Sequence, residues 1–276
     1  MKVWISLDME GIANVVDRDQ LLPEGRRYER ARESLMKDLA AVVDALKGQR
    51  DVESIVVNDS HDGMLNILAE DMVDGVRLIS GGAKPWSMNQ GAETADVAFF
   101  VGYHARAGTA GAIMDHTYAG EIAGVRLNGR EVGETGINAA LIGSWGVPVA
   151  FLSGDDKAAL EAEELLPKVV TVTVKEGISR RSALLWSRPE VDRRLGQGVE
   201  DALNRFRQGE LTPWRLTSPI VVEVDLMTPD MADRAMYIPG AERHGSRGVR
   251  FLEPNMEEAF RAFYSTMVMA SGRPLY

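Results

Sequence analysis

The alternation of short apolar segments with helical segments is the feature of this 276-residue chain that most limits its fold. Residues 2–7 and 52–57 are short and apolar, and residues 29–47 between them repeat apolar side chains at helical spacing. Strands that are separated by helices usually pair in parallel, because each helical crossover returns the chain to the same end of the sheet. We therefore predict an α/β fold with a mostly parallel sheet flanked by helices. Further strands of this sheet are predicted at residues 76–80, 97–101 and 147–152.

The last quarter of the chain follows a different pattern. Residues 219–226 and 249–252 are predicted strands, and Asn255 is the predicted N-cap of a final helix. No repeat, low-complexity tract or Gly/Ser-rich linker separates this region from the rest. We therefore predict an α/β core at residues 1–212 and a smaller α+β portion at residues 213–276 that packs onto the core.

Three local signals predict turns and helix starts. The Asn128-Gly129 pair lies between apolar residues, which is typical of a β-hairpin. Asp155 follows a predicted strand and is expected to cap the next helix. Ser187 and Glu190 have the spacing of a capping box at the start of another helix.

Composition excludes several classes of function. The chain has no cysteine, so a metal site could use only His, Asp and Glu, and disulfides and thiol catalysis are excluded. Lys and Arg total 31 against 41 Asp and Glu, and this net charge of -10 disfavours a nucleic-acid partner. The amino terminus lacks the features of a signal peptide, and no apolar run reaches the ~18 residues of a membrane helix. We therefore expect a cytoplasmic enzyme without a membrane partner.

Side chains that can bind metal follow three of the predicted strands. Asp8 and Glu10 come after the first strand, His61 after the second, and His104 after the strand at 97–101. Because the carboxyl ends of parallel strands meet at one edge of a sheet, these side chains are expected to face one crevice. Imidazole nitrogen and carboxylate oxygen are ligands that Zn²⁺ accepts, and a site with two such metals is suited to hydrolysis.

Each of these residues also has a simpler interpretation. A histidine after a strand is often a loop residue that is hydrogen-bonded to the backbone, and an acid there often caps the next helix. Glu134 lies where a glutamate in the first turn would complement a helix dipole. His244 is expected to be a surface loop residue. From spacing alone, both interpretations of the predicted ligands therefore stay open.

A series of short motifs runs through the first 180 residues. In this order and at this spacing the motifs resemble those of the zinc-dependent D-aminopeptidase family, over roughly two thirds of the chain. The resemblance weakens after Arg180. The motifs are Ser6-Leu7-Asp8-Met9-Glu10-Gly11, Val57-Asn58-Asp59-Ser60-His61, Leu78-Ile79-Ser80-Gly81-Gly82, Lys84-Pro85-Trp86-Ser87-Met88, Gly102-Tyr103-His104-Ala105-Arg106, Met114-Asp115-His116, Asn128-Gly129-Arg130-Glu131-Val132-Gly133-Glu134, Gly154-Asp155-Asp156 and Val174-Lys175-Glu176-Gly177-Ile178-Ser179-Arg180.

The resemblance implies a binuclear site that holds two zinc ions per subunit. In this family pattern Asp8 bridges the ions, Glu10 and His61 complete one metal, and His104 and Glu134 complete the other. All five residues are present in this chain.

The resemblance also implies an activity and an assembly. The activity is removal of amino-terminal residues from short peptides, with a preference for D-residues and D-Ala in particular. The assembly is a homo-oligomer of stacked pentameric rings, a decamer, that encloses the active sites. His116 is described in the family as the nucleophile, but a proton shuttle or an oxyanion donor would suit the same chemistry, so these roles stay open.

Two other functions stay open at this point. A carboxylate-bridged metal pair serves amidohydrolases and phosphoesterases as well as peptidases. A non-catalytic metal-binding module or ligand carrier could use the same fold, because fold does not fix function.

Overall fold

The computed structural model describes residues 1–272 and contains two β-sheets with helices packed against them. The predicted carboxyl-terminal portion therefore extends past the described residues at 273–276. The strands, numbered in chain order, are β1 (Lys2–Leu7), β2 (Ser54–Asp59), β3 (Val76–Ile79), β4 (Val97–Tyr103), β5 (Ile122–Leu127), β6 (Arg130–Val132), β7 (Val149–Asp155), β8 (Val170–Ser179), β9 (Ser182–Leu185), β10 (Ile220–Leu226), β11 (Glu242–His244) and β12 (Gly248–Glu253). The α-helices are α1 (Tyr28–Lys47), α2 (Glu134–Ser144), α3 (Asp156–Leu165), α4 (Arg188–Arg207), α5 (Pro229–Ala235) and α6 (Met256–Ser271).

The larger sheet confirms the predicted α/β fold. Its strand order is β3-β2-β1-β4-β7-β8-β9, and every pairing is parallel except that of β8 with β9. The chain moves from β1 outward to β2 and β3 and then returns to place β4 on the other side of β1. In an open sheet this reversal opens a crevice at the carboxyl ends of the two central strands. Leu7 pairs with Asp59 of β2 and with Val101 of β4, so the three strands end at nearly the same level.

The larger sheet is covered on both faces. On β1, Val3, Ile5 and Leu7 belong to a core that includes apolar residues of α1 and α4. Trp4 faces the other way, into a core that it shares with α2, α6 and the smaller sheet. Burial of both faces explains why β1 has consecutive apolar residues at Val3, Trp4 and Ile5 rather than an alternating pattern. Within residues 1–272, none of the helices combines the length and the apolar character needed to cross a membrane.

The smaller sheet is antiparallel and has the order β11-β12-β10-β5-β6. Its strands β5 and β6 come from the middle of the chain, and the other three come from the predicted carboxyl-terminal portion. Helices α5 and α6 pack against it, and α6 also contacts α2. The division of the chain at residue 212 stays a prediction.

The structure confirms three of the local predictions. Asn128 and Gly129 form the turn between β5 and β6, both with positive φ angles, 49° and 80°, as a tight hairpin turn requires. Asp155 caps α3 by accepting hydrogen bonds from the backbone amides of Lys157 and Ala158. The Asn255 side chain caps α6 by accepting a hydrogen bond of 2.9 Å from the Glu258 amide.

Two local predictions are wrong. Helix α4 begins after Ser187, but the serine side chain makes no capping hydrogen bond. Glu190 instead accepts hydrogen bonds from Arg193 and Arg194. These guanidinium groups lie one helical turn away and bind the carboxylate more strongly than the Ser187 backbone amide would. His244 lies in the edge strand β11 rather than in a loop.

Candidate metal centre

The structure brings all six predicted site residues to one crevice at the carboxyl edge of the larger sheet. The five predicted ligands are almost completely buried, at most 5% exposed, and the sixth residue is half-buried. The backbone explains the convergence, since three of the segments follow the adjacent strands β2, β1 and β4. The residues are Asp8 and Glu10 after β1, His61 after β2, His104 after β4, His116 in the loop between β4 and β5, and Glu134 at the start of α2.

Three acids and two histidines form two half-sites that share Asp8. In the first half-site, His61 Nδ1 lies 3.4 Å from Asp8 Oδ1 and 3.0 Å from Glu10 Oε2. In the second, His104 Nε2 lies 3.5 Å from Asp8 Oδ2 and 3.2 Å from Glu134 Oε1. One oxygen of Asp8 therefore faces each histidine, which is the arrangement that a bridging carboxylate needs.

Each of the three histidines uses its other ring nitrogen to bind a backbone carbonyl. The distances are 3.0 Å from His61 Nε2 to Leu21 O, from His104 Nδ1 to Ala105 O and from His116 Nδ1 to Met114 O. A carbonyl oxygen can only accept, so these nitrogens carry the hydrogen. When these imidazoles are neutral, the ring nitrogens that face the carboxylates therefore carry no hydrogen and present a lone pair, as in histidines that bind metals.

The donor set fits a divalent metal ion. Asp8 Oδ2, Glu10 Oε2 and His104 Nε2 are buried and have no hydrogen-bond partner among residues 1–272. Buried polar atoms are normally paired, so three unpaired atoms within one cluster fit the binding of a cation. Ligand atoms of Asp8, Glu10 and His104 lie within 4.8 Å of one another, as do those of His104, His116 and Glu134. Nitrogen and oxygen donors of this kind are those that zinc accepts.

In the metal-free protein, the carboxylates and histidines of this cluster share protons. Burial and the neighbouring Glu10 raise the pKa of Asp8 to about 7. Burial by itself would lower the pKa of His61, but Glu10 and Asp8 outweigh it and raise that pKa well above its ordinary value. The pKa of His104 is raised well above its ordinary value in the same way, against burial, by Glu134 and Asp8. Without a metal, protons must therefore stabilise these clustered carboxylates.

His116 differs from the other two histidines in its environment. Its ring stacks on that of His104, with centroids 4.1 Å apart and planes inclined by 9°. Its Nε2 lies 3.9 Å from Glu10 Oε1 and 3.7 Å from Glu134 Oε1, too far for hydrogen bonds. Burial and the adjacent His104 lower the pKa of His116, so its imidazole is neutral at neutral pH.

The loop that carries His116 is anchored on both sides. Arg180 donates to Asp115 through its guanidinium group, at 2.8 Å to Oδ1 and 2.9 Å to the backbone oxygen. The backbone amide of Met114 donates to Arg180 O at 2.9 Å. On the other side, the Tyr118 amide donates to Glu134 Oε1 at 2.6 Å. These bonds fix the position of His116 relative to the predicted ligands.

Glycines at two positions allow close contact between the two loops that carry predicted metal ligands after β1 and β4. A Cβ atom on Gly11 would lie 2.0 Å from the backbone oxygen of Tyr103. Gly102 has a φ of 74°, and a Cβ there would lie 2.3 Å from the backbone oxygen of Asp8. The loops after β1 and β4 therefore cross backbone against backbone, which only glycine permits. This contact explains why Gly11 directly follows Glu10 and why Gly102 precedes His104 by two residues.

The sequence did not predict that Lys175 supports the loop that carries Glu10. This fully buried lysine lies on β8, and its Nζ donates to the backbone oxygens of Glu10, Ile12 and Val15. Burial lowers the pKa of Lys175 to about 8. The only signal in the sequence was a single lysine that follows a β-branched run, which is a weak indication of a buried cation.

Four of the five predicted ligands, all except His104, line a cleft of about 590 Å³ together with His116. A cavity of this volume is suited to a small molecule or a short peptide rather than to a folded protein. Residues of the predicted carboxyl-terminal portion, among them Tyr264, form part of its lining. A second groove of about 480 Å³ lies against α1, and no histidine lines it. The methionines that line the cleft are Met64, Met88, Met114, Met227, Met231 and Met267.

Comparisons with known proteins agree with this geometry. The model of a family described as D-aminopeptidase (Peptidase_M55) matches residues 1–265. A D-aminopeptidase of Bacillus subtilis (strain 168) is 38% identical over 266 residues, which span 95% of each chain. The structure of the Zn-dependent D-aminopeptidase DppA from Bacillus subtilis, described as a self-compartmentalizing protease, matches with a TM-score of 0.94 and 34% identity, over 100% of both chains.

Proposed function

The chain belongs to the D-aminopeptidase family, and we propose that it is a zinc-dependent aminopeptidase that hydrolyses short peptides from the free amino terminus, with a preference for D-residues. The observation that carries this proposal is the pair of half-sites that share Asp8. A buried set of carboxylates and imidazoles, with three atoms that are unpaired among the described residues, suits a metal-dependent hydrolase. The finer preference for D-Ala rests on the resemblance of the motifs.

We propose that the cluster holds two zinc ions. Asp8 would bridge them, Glu10 and His61 would complete one site, and His104 and Glu134 would complete the other. The distances within each half-site and the hydrogen bonds that orient His61 and His104 support this assignment. Zinc bound there would supply Lewis acidity, which polarises a peptide carbonyl and lowers the pKa of a water molecule.

The role proposed for His116 is proton transfer at Nε2. Its Nδ1–H is engaged by Met114 O, so the neutral ring offers only a lone pair at Nε2. It can therefore accept a proton from the attacking water and then donate that proton to the departing amine. A neutral His116 cannot donate from Nε2 to an oxyanion until it has taken up this proton. The lowered pKa of His116 keeps the ring ready to accept.

We also propose that the protein works as a homo-oligomer. The matched DppA structure is described as self-compartmentalizing, and the motif resemblance implies stacked pentameric rings, a decamer. Native mass spectrometry tests this assembly, with a mass of about ten chains expected for closed rings. The cytoplasmic location stays a prediction, to be tested by cell fractionation.

The function is tested with the zinc-loaded protein and a panel of substrates. We expect release of D-Ala from D-Ala-D-Ala, slower release from L-Ala-L-Ala, and none from N-acetyl-D-Ala-D-Ala, whose amino terminus is blocked. Chelator-treated protein should be inactive and should regain activity with zinc. Hydrolysis of p-nitrophenyl phosphate alone would favour a phosphoesterase, and bound metal with no turnover on the panel would favour a non-catalytic module.

A further inference from the structure

Arg18 lines the cleft of the metal centre, and its guanidinium group has no anionic partner within the described part of the chain. It lines the same cleft as Asp8, Glu10 and Glu134, and it is exposed. The other arginine of the cleft, Arg180, is bound to Asp115. Among residues 1–272, no hydrogen bond or ion pair engages the Arg18 guanidinium group, so its donors are available to a ligand.

The acids next to Arg18 are bound elsewhere. Asp17 Oδ1 accepts from the Asp19 amide at 3.0 Å, and Asp17 Oδ2 lies 3.5 Å from Arg181 Nη1. Asp19 Oδ1 accepts from the Arg26 amide at 3.1 Å. In a chain with a net charge of -10, carboxylates are abundant, so an arginine that lines a cleft and has no partner in the described part of the chain is a specific local feature.

The segment that carries Arg18 is fixed relative to the metal centre. Arg18 begins a short 3-10 helix, Arg18–Gln20. Gln20 Oε1 accepts from the amides of Val16 and Asp17, at 2.8 and 3.1 Å. Directly after this helix, Leu21 O accepts the hydrogen bond of His61 Nε2. The segment that carries Arg18 is therefore tied through Leu21 to a predicted zinc ligand, which fixes the backbone position of the arginine with respect to the reacting centre.

We propose that Arg18 binds the carboxyl-terminal carboxylate of the substrate and so selects very short free-acid peptides, dipeptides first. The inference rests on the proposed aminopeptidase function. A planar guanidinium group binds a carboxylate through two parallel hydrogen bonds, and this geometry makes arginine suited to recognise a chain terminus. A peptide whose scissile carbonyl lies at the metal centre can reach Arg18 with its terminal carboxylate only if few residues follow the scissile bond.

The test compares D-Ala-D-Ala with its carboxyl-terminal amide, which keeps the scissile bond and removes the charge. With the zinc-loaded wild type, kcat/KM should be about 10- to 100-fold higher for the free acid. The R18Q variant should lose this preference, because its kcat/KM should fall about 10-fold or more for the acid and much less for the amide. R18K should keep part of the preference, because a lysine retains the charge but not the paired hydrogen bonds.

Two further variants are controls. R50Q removes an exposed arginine away from the cleft and should behave as the wild type. R180Q removes the other arginine of the cleft, and loss of the acid preference in R180Q but not in R18Q would overturn the assignment to Arg18. Because the Arg18 side chain has no intramolecular partner in the described residues, R18Q should melt at the wild-type temperature.

The outcomes separate this inference from the function on which it rests. If the zinc-loaded wild type hydrolyses neither the acid nor the amide, the proposed function fails and the inference fails with it. Equal kcat/KM for acid and amide in the wild type, or an unchanged preference in R18Q, would overturn the inference alone.

Discussion

Lys175 and Glu10 are 165 residues apart in the chain, yet Lys175 Nζ donates a hydrogen bond to the Glu10 carbonyl in the interior of the protein. The same ammonium group also binds the carbonyls of Ile12 and Val15. Strand β8 thereby holds the loop that follows β1, and this loop positions one of the predicted zinc ligands.

Replacement of Lys175 by Met should destabilise the metal-free protein by about 3 kcal/mol or more, because buried carbonyls would lose their donor. Urea unfolding measures this change. The matched control is Lys47→Met, which removes an exposed lysine that donates to Asp74 O, and it should cost less than about 1 kcal/mol. An equal cost for the two variants would show that Lys175 does not hold the loop.

Variants of the predicted ligands should change the metal content in different ways. Asp8→Ala removes the proposed bridge and should empty both metal positions, whereas Glu134→Gln should leave about one zinc ion per chain. Elemental analysis after gel filtration measures both, and Asp62→Asn, an exposed acid of the same cleft, should keep the wild-type zinc content. Full zinc occupancy in Asp8→Ala would contradict the bridging role.

Replacement of His116 by Ala should lower kcat by about 100-fold or more at unchanged zinc content, because proton transfer by a positioned side chain contributes about this factor. His244→Ala is the matched control, because His244 lies in β11 outside the cleft. Wild-type kcat in His116→Ala would rule out a catalytic part for this histidine.

Zinc affinity should rise with pH. The pKa of Asp8 is raised to about 7, and the pKa values of His61 and His104 are raised well above their ordinary value, so the metal-free site holds protons at neutral pH. A raised pKa means that the proton is bound below that pKa and is lost above it, so zinc competes with fewer protons as the pH increases. The apparent affinity should increase roughly tenfold per pH unit for each proton displaced.

Competition with a chromophoric chelator between pH 6 and 8 measures this dependence. Calorimetry in buffers of different ionisation enthalpy counts the protons that are released. A pH-independent affinity would show that the metal-free cluster does not hold these protons.

Much of the fold and of the site follows from local patterns in the sequence. Asp8, Glu10, His61 and His104 were predicted to meet because each follows a strand of a parallel sheet, and the topology of such a sheet brings those ends together. Glu134 could not be placed by this rule, because it comes from the start of α2 rather than from a strand end. The capping box at Ser187 failed because the choice of Glu190 between the backbone and two arginines depends on side-chain geometry.

The sequence by itself determined the alternation of strands and helices and the residue types that can bind a metal. Only the tertiary structure decided that His116 stacks on His104 and that Lys175 holds the loop of Glu10. It also decided that Arg18 lines the cleft without a side-chain partner among the described residues. Strand and helix patterns arise from interactions between residues a few positions apart, so they can be read from the chain. Contacts between residues far apart in sequence depend on how the packed elements cross, and no local pattern encodes that geometry.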